Sequence, residues 1–88
     1  MRIEVRRTGG FAGIERRAEV DTSARPDAPE WDALAEQALA AGCATPPAGV
    51  PDGFTYEITV DGRTVYAADP RLTEEQRELV SLVLKEGA

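Results

Sequence analysis

Residues 6–17, RRTGGFAGIERR, place four arginines, three glycines and one phenylalanine within a single short stretch. These residue types suit recognition better than bond-making. Guanidinium groups pair with carboxylates. Glycines adopt positive φ and let a backbone approach another surface closely. A lone aromatic ring is the usual anchor for an apolar pocket. Gly9, Gly10 and Gly13 fit neither the G-x-G-x-x-G spacing nor a P-loop, and no strand–loop–helix context surrounds them.

The rest of the chain offers little reactive chemistry. It has 88 residues, no histidine and one cysteine. Without histidine there is no Ser-His or Cys-His pair, and most zinc sites are excluded. Cys43 has no imidazole to activate it, follows the expected end of a helix, and reads as an inert small residue. The carboxylates fall on exposed helix faces without the paired spacing of acid/base catalysis. No enzyme, no catalytic residue, no metal and no cofactor is expected.

Composition sets the class. Hydrophobic residues make up 42% and charged residues 30%, the balance of a soluble globular protein. The length suits one small domain, residues 1–88, with a modest core. No apolar run is long enough to span a bilayer, so no membrane partner is expected. The opening Met1-Arg2-Ile3-Glu4 has no apolar leader, and a single cysteine makes no internal disulfide, so a cytoplasmic location is expected. The net charge of −6 argues against nucleic acid. The charge is uneven: residues 1–20 hold five arginines and three glutamates, and the remainder holds five basic and thirteen acidic residues. The first hairpin is thus a basic edge on an acidic body. Either it is steered toward an acidic surface, or its arginines simply solvate the strands.

Hydrophobic patterning supplies the elements that position this stretch. Arg2 to Arg7 alternates, with Ile3 and Val5 on one face. Ile14 to Val20 does likewise, with Ile14, Ala18 and Val20. Arg7 and Arg16 fall on the apolar parity, so either the sheet ends there or a bulge re-aims them. Asp27 with Glu30 resembles a capping box, and Pro29 suits a first turn. A helix follows to about Ala41, with Trp31, Leu34, Ala35, Ala38 and Leu39 as its stripe, closed by Gly42. Residues 43–53 form a proline-rich loop. Phe54–Val60 and Arg63–Ala68 flank Asp61-Gly62, a strong type I′ hairpin signal. Thr73 and Gln76 open a second helix over about Glu74–Glu86, with Leu79, Val80, Leu82 and Val83 inward. The order ββαββα predicts an α+β fold: a four-stranded antiparallel sheet with two helices packed on one face.

The Thr8–Gly13 loop is longer than a hairpin needs. Phe11 at its tip either folds back over the hairpin end or projects as part of a binding loop.

The run Met1-Arg2-Ile3-Glu4-Val5-Arg6-Arg7-Thr8-Gly9-Gly10-Phe11-Ala12-Gly13-Ile14-Glu15-Arg16 resembles the opening of emfourin-type proteins, the protealysin-associated inhibitors. The likeness extends through overall length, Pro46-Pro47, the second hairpin and the closing helix. It implies inhibition of a thermolysin-like (M4, protealysin-like) zinc metallopeptidase. Such enzymes have a long cleft with a catalytic zinc and a neighbouring apolar pocket. On that reading the partner-binding residues are Thr8, Gly9, Gly10, Phe11, Ala12, Gly13, Glu15, Arg16 and Arg17. Phe11 takes the pocket, and Arg16 and Arg17 face acidic residues on the rim. Direct zinc ligation needs Glu15 or a backbone carbonyl, and steric blockade is the favoured mechanism. Two other classes remain: an interaction module using the same loop, and a small-anion or nucleotide binder, which the acidic balance disfavours.

Overall fold

The computed structural model describes residues 1–9, 15–45, 53–68 and 71–87. Its elements are β1 (Arg2–Gly9), β2 (Arg16–Asp21), α1 (Ala28–Ala41), β3 (Phe54–Val60), β4 (Arg63–Ala68) and α2 (Glu74–Glu86). The expected ββαββα order holds. The four strands form one antiparallel sheet in the order β2-β1-β3-β4. β1 therefore lies inside the sheet, paired along both edges. Among the described residues no helix is long and apolar enough to cross a membrane.

Side chains alternate across a strand, so register sorts residues into rows. On the helix-covered face one row reads Val20, Ile3, Val60, and the next reads Ala18, Val5, Ile58, Val65. Ile3, Val5 and Ile58 are fully buried there, beneath Trp31, Ala35 and Ala38 of α1 and Leu79 and Val83 of α2. The opposite face is polar, as an antiparallel sheet with one solvated side permits. It carries Arg6 against Glu57 at 3.0 Å and Thr59 against Thr64 at 2.9 Å.

The two helices begin differently. Thr73 and Gln76 form the expected capping box: Thr73 Oγ1 accepts from the Gln76 N–H, and Gln76 Oε1 accepts from the Thr73 N–H. Gln76 is also buried, and its Nε2 donates to the Ala38 carbonyl of α1 at 3.2 Å. One side chain thus caps α2 and ties it to α1. The box expected at Asp27 does not form, since Asp27 makes no side-chain cap bond. Its carboxylate instead takes the Arg25 guanidinium at 3.1 Å. Gly42 closes α1 for a reason other than a left-handed turn. Its backbone is extended, and a Cβ there would collide with the Val65 side chain. Beyond it Cys43 exchanges backbone hydrogen bonds with Tyr66 on the outer edge of β4.

Candidate functional site

Arg7 and Arg16 are an in-register cross-strand pair. The sheet neither ends before them nor bulges. They continue the helix-covered face as a third row, Arg16, Arg7, Tyr56, Ala67, in which two cations stand where the other rows have apolar residues. Each is accommodated by a separate device. The Arg16 guanidinium donates to the Leu84 carbonyl at 2.8 Å. That carbonyl belongs to the last turn of α2, where backbone acceptors lack helical partners and the dipole is negative. The Arg7 guanidinium lies 4.4 Å from the centroid of the Phe54 ring, a cation–π arrangement. Phe54 in turn meets Tyr56 with ring centroids 6.3 Å apart. The Arg7 Nε is buried and has no hydrogen-bond partner among the described residues. A buried unpaired N–H costs about 1–3 kcal/mol, so this end of the sheet is under-satisfied.

The strand also runs further than its alternation suggests. Thr8 and Gly9, expected in the loop, are part of β1 and pair with Thr55 and Phe54 of β3. On the other side the ladder with β2 stops at Arg7 and Arg16. β2 begins at Arg16 rather than Ile14. The linking segment is thus launched from a strand end held by β3 alone. Gly9 is at φ +92°, and a Cβ there would lie 2.8 Å from the Gly53 carbonyl oxygen. Both conditions demand glycine.

Of the residues expected to contact a partner, Thr8 and Gly9 lie at the base of this end. Glu15 and Arg17 are exposed. Arg17 stands opposite Arg6 on the polar face, and Arg6 is already paired with Glu57. Arg16 is exposed along its length but committed at its tip to α2. Gly10, Phe11, Ala12 and Gly13 lie outside the described residues, as do Ile14 and the Pro46-Pro47 pair. Sequence reasoning missed Arg7 and Phe54 as members of this end. The signal was present in the misplaced parity of Arg7, but nothing local marks Phe54 as its partner.

The fold and this end define a small α+β protein whose distinctive surface is a basic, aromatic-backed strand end feeding a glycine-rich connection. The family model for Emfourin matches residues 5–84. That match spans both hairpins and both helices, so the chain belongs to the Emfourin family, a family associated with metallopeptidase inhibition. No curated protein and no solved structure matches the chain significantly.

Proposed function

We propose that this chain is a proteinaceous inhibitor of thermolysin-like (M4) zinc metallopeptidases, acting as one domain in the cytoplasm and without enzymatic activity. Membership of the Emfourin family over residues 5–84 carries the reading. The end of the sheet supports a way of doing it. Thr8 and Gly9, fixed by β3, make a rigid base, and rigid scaffolds are where binding loops commonly sit. Gly10 to Gly13 then enter the protease cleft as a thin backbone, and Phe11 fills the apolar pocket beside the zinc. Inhibition is steric: no bond is made or broken, and the substrate is excluded while the segment occupies the cleft.

Steering of the complex falls to Arg17, which is exposed, rather than to Arg16, whose guanidinium serves Leu84. Arg17→Ser slows association, and the loss shrinks at high salt because exposed charges are screened. Arg16→Ser acts chiefly on stability. The deciding experiment pairs two measurements on Phe11→Ala: the inhibition constant against a thermolysin-type protease and the melting temperature. Inhibition weakened by about thirtyfold, roughly 2 kcal/mol, at unchanged stability supports insertion. Near-native inhibition with a lowered melting temperature overturns it. Absence of inhibition by the native protein removes the protease reading and leaves an interaction module.

A further inference from the structure

The surface between the two helices has a chemistry of its own and shares no residue with the first hairpin. A cleft of about 370 Å³ runs there, open to solvent, with Trp31, Leu34 and Leu82 in its apolar part. Four carboxylates rim it: Asp27, Glu30, Glu78 and Glu86. α1 as a whole carries three acidic residues and no basic one. An apolar floor ringed by one sign of charge is unusual for a surface with no task, since isolated helices prefer mixed-sign pairs.

One end of the cleft shows what it accepts. Arg25, from the segment before α1, extends its guanidinium over the Trp31 ring at 5.1 Å from the centroid. Its Nε meets Asp27 at 3.1 Å, and its terminal nitrogen meets Glu86 at 2.8 Å. An aromatic face and two carboxylates thus grip a single cation, one carboxylate just ahead of α1 and one from α2. Two further carboxylates, Glu30 one turn after Asp27 on α1 and Glu78 two turns before Glu86 on α2, also line the cleft without an ion pair among the described residues.

We infer that this cleft is a second docking site, and that it takes a partner-protein segment carrying arginine or lysine beside aliphatic side chains. The aliphatic groups cover Leu34 and Leu82, and the basic side chains pair with Glu30 and Glu78. Charge complementarity selects a basic partner. A second copy is disfavoured because the arginines of its basic hairpin are largely engaged, Arg6 with Glu57 and Arg16 with the Leu84 carbonyl.

Trp31 is the only tryptophan in the chain and lines the cleft, so its fluorescence reports on this site alone. The test titrates the full chain with a short amphipathic peptide of leucine and arginine that contains no aromatic residue. A saturable change in Trp31 emission is expected. Glu30→Gln with Glu78→Gln weakens binding about tenfold, the sum of two exposed ion pairs. Glu4→Gln with Glu57→Gln, the same charge change on the polar face of the sheet, shifts it by less than about twofold. Arg25→Ser, which frees Asp27 and Glu86, tightens binding relative to Arg63→Ser. Thermal melts of all variants confirm that each is folded. Equal weakening by both double variants overturns the proposal in favour of general electrostatic attraction. Equal binding of a leucine–glutamine peptide reduces the cleft to an apolar patch. A Trp31 signal that follows protein concentration without peptide, with dimers on sedimentation, makes the occupant a second copy. No saturable change removes the site.

Discussion

The two ends of the sheet are built on opposite principles. At the turn end, β3 and β4 are joined by Asp61-Gly62, with φ +48° and +86°. Asp61 then reaches the neighbouring strand: its N–H donates to the Arg2 carbonyl at 3.1 Å, and its carboxylate accepts from the Arg2 N–H at 2.9 Å. The Thr22 N–H donates to the Met1 carbonyl at 2.8 Å, and the Ser23 N–H and hydroxyl both bond Asp21. Polar groups from three segments thus cross-link this end. At the loop end, two arginines stand on the core side: one bonds the C-terminal turn of α2, and the other has a buried Nε without a partner among the described residues. The first end is closed by hydrogen bonds between segments, whereas the second leaves one buried donor without a partner among the described residues.

Both ends rest on one core, and the largest effect comes from removing it. Ile58 is fully buried and pairs with Val5 and Val65 midway between the ends. Ile58→Ala is expected to cost about 2–5 kcal/mol. Amide exchange should quicken at both ends together. Loosening of one end alone would mean that the ends are separately stable.

Glycine substitutions sharpen the contrast. Gly62→Ala meets nothing within 4 Å, so only its positive φ is penalised, at about 1–2 kcal/mol. Gly9→Ala adds a clash with the Gly53 backbone to a similar φ, for about 3 kcal/mol. Chemical denaturation of the two variants side by side tests this, and equal losses would erase the distinction.

A smaller and opposite effect is expected at Arg7. Arg7→Met removes a buried N–H that has no partner among the described residues and loses the contact with Phe54, two terms of similar size. Stability should therefore change by less than about 1 kcal/mol or rise. Asp61→Ala at the turn end should lower it by about 1–3 kcal/mol, through the lost bond to Arg2 and the poorer tolerance of alanine for φ +48°. If Arg7→Met proves the more damaging, the loop end is the better satisfied of the two.

The smallest effect is the pH dependence of the turn end. The Ser23 N–H, then its hydroxyl, hold the Asp21 carboxyl below its ordinary value of 3.8. A depressed folded pKa gives stability that is present above the unfolded pKa and fades as pH falls through the folded one. The fully exposed carboxyl should thus matter only below about pH 4. Ser23→Ala, which keeps the backbone N–H and removes only the hydroxyl, should move the Asp21 titration, followed by NMR, part of the way toward 3.8. An unchanged midpoint would show that the hydroxyl does not contribute in solution.

Much of this molecule is determined by sequence alone. Alternation fixed which faces of β1, β3 and β4 are apolar, because side-chain period and backbone pleat coincide in a strand. Asp61-Gly62 specified its turn, and Thr73 with Gln76 specified the start of α2, because those signals act within four residues. The resemblance carried by residues 1–16 pointed to the family that matches residues 5–84. Other features were decided only when distant segments met. Asp27 makes no cap bond, and its carboxylate is engaged by the side chains of Trp31 and Arg25 instead. Gly42 is required by Val65, which arrives from the second hairpin. Thr8 and Gly9 became strand because β3 pairs with β1 beyond the point where β2 stops. Arg7 and Arg16 face the core side because register is cooperative along a ladder, and their charges are tolerated because α2 ends beside one and Phe54 lies beneath the other. Local propensity sees only neighbours in the chain, whereas these residues are governed by neighbours in space.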